Sequence, residues 1–286
     1  MSINIAVAGK GGTGKTTIAA AFASLATEAV LADCDVDAAD LHLILKPKVE
    51  QTDKFTGLKL AVKDEEVCTD CGLCYEHCRF GAISPENEFL GTGCEGCGVC
   101  EYVCPADAVS LVDRIAGETY ISTTRFGPMS HARLDTAEEA SGKLVAQVRN
   151  NAREMAEGSN RELVLIDGPP GIGCPVIAAI TGVDMVLVVT EPTISGSHDM
   201  ERVLGVAEHF NIPAVVCINK TDINIEVSQE IEEYCKEHGS VVVGKLPYDN
   251  VTTSAMIEEK SVTEFSDGPF AEKVRVMWGN ILEVLK

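Results

Sequence analysis

The sequence predicts an α/β protein, a mainly parallel sheet with helices on both faces, carrying a small inserted α+β module. Three observations predict it. The chain opens with a short apolar run, residues 3–8, which passes through a Gly-rich loop into an Ala-rich stretch at 16–26. Further apolar runs at 29–32, 163–166, 185–189, 214–218 and 241–243 are bounded by Gly, Pro or polar residues, with helical patterns at 197–209 and 226–238 between the last three. Strands of a parallel sheet are buried on both faces, so they read as unbroken apolar runs and need helical crossovers. The third observation is a cysteine-rich interruption of that alternation. It is too long for an ordinary crossover, so residues 62–112 are expected to be an inserted domain and 1–61 with 113–286 a discontinuous main domain.

Composition narrows the function. The 286 residues are 45% hydrophobic and carry a net charge of −21, from 23 basic and 44 acidic side chains. So strong a negative charge opposes binding to nucleic acid or to an anionic membrane and favours basic protein partners. The start lacks a basic leader pattern and no apolar run is long enough to span a bilayer, so a cytoplasmic protein is expected. Eight of the 12 cysteines fall between positions 68 and 104 at ligand spacing, which reads as metal binding in a reducing compartment.

The first loop, Gly9-Lys10-Gly11-Gly12-Thr13-Gly14-Lys15-Thr16, matches G-x-x-x-x-G-K-[ST] and lies between a strand and a helix, where its mechanism requires it. Backbone amides of Gly11, Gly12, Thr13 and Gly14 would wrap a phosphate. Lys15 would reach the outer phosphates, Thr16 would ligate Mg²⁺, and Thr17 follows at the helix start. ATP and Mg²⁺ are the expected ligands.

The two cysteine runs, Cys68, Cys71, Cys74, Cys78 and Cys94, Cys97, Cys100, Cys104, are each C-x2-C-x2-C-x3-C, and the second repeats the first at a constant offset of 26 residues. The flanks repeat too, Ala82-Ile83 after Cys78 and Ala108-Val109 after Cys104. This is the spacing of bacterial two-cluster ferredoxins, in which the fourth cysteine of each run ligates the other cube. Two 4Fe-4S clusters are therefore expected, one on Cys68, Cys71, Cys74 and Cys104, the other on Cys94, Cys97, Cys100 and Cys78. Pro105 follows Cys104 as that pattern requires, whereas Arg79 follows Cys78. A cation there would favour the reduced state of its cluster. His77 reads as a surface or outer residue, because eight thiolates already complete two cubes.

With Lys10 early in the loop, Lys10-Gly11-Gly12-Thr13-Gly14-Lys15-Thr16-Thr17 resembles the deviant Walker A loop of the MinD/ParA/Mrp superfamily of P-loop ATPases, to which the nitrogenase iron protein also belongs. The resemblance implies that Lys10 crosses a dimer interface to the other subunit's nucleotide, and so a nucleotide-dependent homodimer, or a heterodimer with a related ATPase. Asp33-Cys34-Asp35 resembles the family's switch I, which implies that Asp35 orients the attacking water and Asp33 lies near the metal. Leu165-Ile166-Asp167-Gly168-Pro169-Pro170-Gly171 resembles its Walker B and switch II segment, with Asp167 holding Mg²⁺ through water. Asn219-Lys220-Thr221-Asp222 follows a strand as the adenine-reading segments do, which implies a base contact by Asn219. The chain as a whole resembles those members that carry an inserted ferredoxin domain.

Two further features are weighed. Cys174 lies seven residues after Asp167, where the related nitrogenase iron protein holds a cluster ligand; no partner cysteine completes such a site, and a buried, inert thiol is expected, as for Cys34, Cys217 and Cys235. The apolar positions Val274, Met277, Trp278, Ile281, Leu282 and Leu285 suit a helix packed on the sheet, since the segment lacks a basic face for a membrane. The function expected is ATP-gated electron transfer through two clusters to or from a redox partner protein. The alternatives are a cluster carrier of the Mrp type and a redox-sensing ATPase switch.

Overall fold

The computed structural model describes residues 2–26, 28–135 and 141–286. They divide into two compact units: the chain up to Asp53 with Thr119–Arg133 and Ser141–Lys286, and Lys54–Glu118 with the chain from Leu134. The second unit contains the whole of the 62–112 cysteine module and begins eight residues before it.

In chain order, β1 (Ile3–Gly9), α1 (Lys15–Leu25), β2 (Ala29–Asp33) and α2 (Leu41–Leu45) lead to β3 (Lys48–Thr56), along which the chain leaves the first unit. The second unit holds β4 (Leu60–Lys63), α3 (Leu73–His77), α4 (Val99–Tyr102) and β5 (Val109–Val112). The chain returns along β6 (Ile115–Thr124) and continues as β7 (Gly127–Leu134), α5 (Ser141–Ser159), β8 (Leu163–Pro170), α6 (Cys174–Ile180), β9 (Met185–Thr190) and α7 (Ile194–His209). It ends with β10 (Ala214–Ile218), α8 (Ile225–Glu237), β11 (Val241–Lys245), α9 (Val251–Ile257), α10 (Val262–Phe265) and α11 (Pro269–Val284).

The main sheet runs β11-β10-β9-β1-β8-β2-β7-β6-β3. Strand β1 lies between β8 and β9, parallel to both, and β2 is parallel to β8 and β7. Parallel register decides what happens at the carboxyl ends: Val7 and Asp33 both pair with Asp167. The Gly-rich loop and the two aspartate segments therefore emerge side by side from adjacent strands. On one face of this sheet α1 and α11 pack side by side and bury Phe22 against Trp278, ring centroids 4.7 Å apart, and α11 also buries Phe270, Val274, Met277 and Ile281. The apolar stripe near the C-terminus thus packs on the core at Val274, Met277, Trp278 and Ile281, with Leu285 partly buried, whereas Leu282 is exposed.

Three strands escaped the sequence reading. Strand β3 exposes every residue up to Phe55 and carries Lys48, Glu50, Asp53 and Lys54, so it has no apolar run to read. Strands β6 and β7 alternate with Thr, Ser, Gly and Arg, as strands do near a sheet margin. Helix α5 was legible in principle, since Leu144, Val145, Val148, Ala152 and Ala156 recur on one face and are all buried.

In the second unit, β4 and β5 pair antiparallel, Leu60 opposite Val112 and Lys63 opposite Val109. Helices α3 and α4 are the two copies of the internal repeat, each capped by a left-handed glycine, Gly72 and Gly98.

The tightest backbone constraint lies where β1 opens into the loop. Gly9 has φ +142°, and a Cβ built on it would stand within bonding range of the Val189 carbonyl oxygen. Gly9→Ala is expected to lower stability by about 2–4 kcal/mol, read as a lower urea midpoint with an unchanged slope. A midpoint equal to wild type would show that β1 and β9 do not need this close approach.

Candidate functional site

The Gly-rich loop of the first unit borders an open pocket of about 540 Å³ lined by Gly12, Gly14, Lys15, Thr16, Thr17 and Asp35, among others including Gly11. The loop is braced from beneath. Thr13 is fully buried, and its hydroxyl donates to the Lys10 carbonyl at 2.9 Å. Lys15 is buried and its Nζ donates to the same carbonyl at 3.1 Å. Burial lowers its pKa, against the pull of Asp167 and then Asp35. Residues 180 or more positions away complete the brace: Asn219 Nδ2 donates to the Thr13 carbonyl at 2.8 Å, and Lys220 Nζ to the Gly12 carbonyl at 2.9 Å.

Lys10, read from sequence as the residue that reaches across to a second subunit, is held within its own chain. Its Nζ donates to Ser195 Oγ at 2.8 Å and stands 3.7 Å from Glu191, which also pairs with Lys220 at 2.8 Å. Glu191 thus bridges two lysines, a role that sequence reasoning did not assign. Asn219 likewise directs its amide to the loop and accepts the Lys220 N–H at 2.9 Å, so its side chain here supports the loop.

At the ends of β2 and β8, Asp33 and Asp167 are 1% exposed. Asp33 Oδ1 accepts the Asp35 N–H at 3.2 Å, whereas Asp33 Oδ2 and both Asp167 oxygens make no hydrogen bond of ordinary length, the Thr16 hydroxyl standing only near enough to favour the charged form of Asp167. Burial drives the pKa of Asp33 well up, with Asp167 adding to it, and burial raises that of Asp167 to about 7 while Thr16 and Lys15 oppose the rise. Asp35 is half-buried, also shifted upward by burial, and faces the pocket. Cys34 between them is buried and inert, burial pushing its thiol far above its usual range.

In the second unit the two runs share one backbone design. Asp70 and Gly72 in the first, Gly96 and Gly98 in the second, all have φ between +50° and +79°, so each Cys-x2-Cys-x2-Cys segment turns through left-handed residues at matching positions. Such turns form concavities lined by amides, suited to anionic groups including iron–sulfur clusters. At Gly96 the constraint is steric as well, since a Cβ would meet the Lys59 backbone.

Cys94, Cys97 and Cys100 line a small cavity, and Cys78 of the first run lines it with them, among Phe80, Phe89 and Leu111. For the first run, burial raises the Cys74 pKa and the Cys68 and Cys71 sulfurs push the same way, which places the three near one another. Backbone N–H groups reach one sulfur of each run, Asp70 to Cys68 at 3.4 Å and Ala108 to Cys104 at 3.2 Å. Among the described residues no three His, Cys, Asp or Glu side chains converge closely enough to hold a single metal ion. Cys174, expected to be buried, is exposed: it opens α6 directly after the Gly171-Ile172-Gly173 turn, which leaves it outside the core.

Comparison with known proteins decides the family. The CobQ/CobB/MinD/ParA nucleotide binding domain matches residues 5–262. The chain belongs to this family of P-loop ATPases. Uncharacterized protein MJ0578 of Methanocaldococcus jannaschii is 34% identical over 223 residues, 76% of this chain and 78% of that one. The uncharacterized ATP-binding protein MJ0547 of the same organism is 27% identical over 290 residues, 96% and 85% of the two chains. A segment of 48 residues, 17% of this chain, is 38% identical to 59% of pyruvate synthase subunit PorD of Methanothermobacter marburgensis. The septum site-determining protein MinD of Pyrococcus horikoshii, solved with Mg-ADP, shares the fold with a TM-score of 0.60 at 17% identity, over 99% of this chain and 97% of that one. Among the described residues no helix is long and apolar enough to cross a membrane.

A P-loop ATPase of this family works on Mg-nucleotide, and the residues present fit the cation. Three carboxylate oxygens at the ends of β2 and β8 are buried without a partner, beside the Thr16 hydroxyl. Buried carboxylates without a cation are costly.

Asp167 keeps a proton up to about pH 7 in the native state, whereas an unfolded Asp loses it near 3.9. The nucleotide-free protein is therefore expected to lose stability as pH rises from about 4 to about 7, and Asp167→Asn to lessen that loss and raise the Tm at pH 8. Binding of Mg-nucleotide at pH 6.5 is expected to release protons, read as a dependence of the calorimetric heat on buffer ionisation enthalpy. Heat independent of buffer, with the variant no more stable than wild type, would show that this carboxylate pair is already ionised and does not await the cation.

Proposed function

We propose that this P-loop ATPase is an iron–sulfur protein in which Mg-ATP binding controls one-electron transfer through two 4Fe-4S clusters to or from a partner protein. The observation that carries the reading is the cavity in the second unit, which Cys94, Cys97 and Cys100 line together with Cys78 from the other run. Three neighbouring thiols from one run and the last thiol of the other is the cross-donation of two-cluster ferredoxins. Apolar neighbours such as Phe80, Phe89 and Leu111 would keep water from a cluster held there. Matching left-handed turns in both runs support a second cluster on Cys68, Cys71, Cys74 and Cys104.

On the nucleotide side, Lys15 and the amides of residues 11–16 would bind phosphate, with Thr16, Asp33 and Asp167 holding Mg²⁺. The cation, when bound, neutralises phosphate charge and polarises the bond to be broken. Asp35, half-buried at the pocket, would orient water for attack. Lys10 would leave Glu191 and Ser195 for the phosphates of a second subunit, so that nucleotide binding and dimerisation share one side chain.

Two outcomes are expected. Lys10→Ala should weaken nucleotide-dependent dimerisation about tenfold or more in sedimentation, and an unchanged dimer would remove Lys10 from the interface. Anaerobically purified protein should contain about eight irons per chain, and an EPR-monitored redox titration should show cluster potentials that differ between nucleotide-free protein and protein bound to a non-hydrolysable ATP analogue. Linkage sets the scale, about 59 mV for a tenfold difference in nucleotide affinity between oxidised and reduced protein. Stoichiometric zinc would overturn the cluster reading. Full iron with identical potentials would overturn the gating and leave a carrier or switch.

A further inference from the structure

The two cysteine sites repeat one another in spacing, yet among the differences between them one side chain reaches a ligand sulfur in only one copy. Residues 82–90 form a tight hairpin: Ser84 N–H donates to Glu88 O at 2.9 Å, Asn87 N–H to Ser84 O at 3.0 Å, and Leu90 N–H to Ala82 O at 2.8 Å. Asn87 sits at its turn with φ +60°, the left-handed region that Asn tolerates better than most residues. Backbone geometry alone would explain an asparagine there, but it would leave the carboxamide in solvent. Instead Asn87 is only 7% exposed, and the Cys74 thiol donates to its Oδ1 at 3.8 Å. The offset of 26 places Asp113 at the equivalent position of the second copy, directly after β5, so the repeat does not reproduce the carboxamide.

We propose that Asn87 tunes one cluster of the pair. This rests on the cluster reading above. An iron-bound cysteine has lost its proton, so the Cys74 sulfur becomes an acceptor only. A carboxamide offers an N–H₂ group in nearly the same shape as its oxygen, and rotation of the Asn87 amide turns the contact into N–H···S. Reduction adds one electron, spread over the iron and sulfur atoms, and a donor at a ligand sulfur stabilises that added charge. Asn87 therefore raises the potential of the cluster on Cys68, Cys71, Cys74 and Cys104 above the value it would have without the contact, and so favours that cluster's reduced state, as Arg79 favours that of its twin.

The test compares full-length wild type, Asn87→Gly and Asn87→Asp, all purified anaerobically, by iron content and EPR-monitored redox titration without nucleotide. Glycine keeps the left-handed turn and removes the carboxamide; aspartate keeps the turn and the shape but puts negative charge at the sulfur. One of the two potentials is expected to fall in Asn87→Gly, by about 59 mV for a tenfold change in the one-electron equilibrium, and further in Asn87→Asp, with the other unchanged. Eight irons per chain with both potentials unmoved in both variants would overturn the assignment and leave the cluster reading standing. A parallel shift of both potentials would also overturn it, as a general change in the unit. A wild type without iron would overturn the cluster reading itself.

Discussion

The register of β2 and β8 sets two carboxylates opposite one another in the interior. Asp33 and Asp167 are paired by strand alignment, are buried almost completely, and keep three oxygens without a partner. Neighbouring β1 aligns Val7 with the same Asp167, so the loop that wraps phosphate starts from the strand beside them. The position of Lys15, the pressure on both pKa values and the place kept for a cation all descend from that alignment. A one-residue slip of β8 would turn Asp167 away from Asp33 and take its carboxylate from beside Lys15.

Local backbone design does for the cysteines what strand register does for the carboxylates. Left-handed residues at equivalent points of both runs bend each chain about its own centre, and the cavity lined by Cys78 with Cys94, Cys97 and Cys100 links the two runs. Ligand spacing is therefore encoded twice, in the cysteine intervals and in the residues between them that accept positive φ. Departures from exact repetition, Arg79 against Pro105 and Asn87 against Asp113, are where the copies can acquire different chemistry.

Much of this was legible in the sequence because the informative patterns are short. The Gly-rich loop, the strand-terminal aspartates and the cysteine runs each occupy fewer than a dozen residues, and their order along the chain identifies the architecture. What was not legible depends on distant contacts or on polar strands. Nothing near Lys10 announces that Glu191 and Ser195 hold it, and nothing near Asn219 announces that its amide would serve the Thr13 carbonyl. The charged strand β3 lacks an apolar run, and Cys174 looked like a core thiol until the turn before α6 placed it outside.

Three lysines, 10, 15 and 220, gather at one loop of a chain whose net charge is −21. At physiological salt both the repulsion of a nucleotide polyanion by this acidic surface and its attraction to the lysines are screened over about 8 Å, so the balance is decided close to the loop. Partial neutralisation of the phosphates by Mg²⁺ weakens that repulsion before contact. Such a surface would admit metal-bound nucleotide faster than the bare anion, with a bias that fades as ionic strength rises.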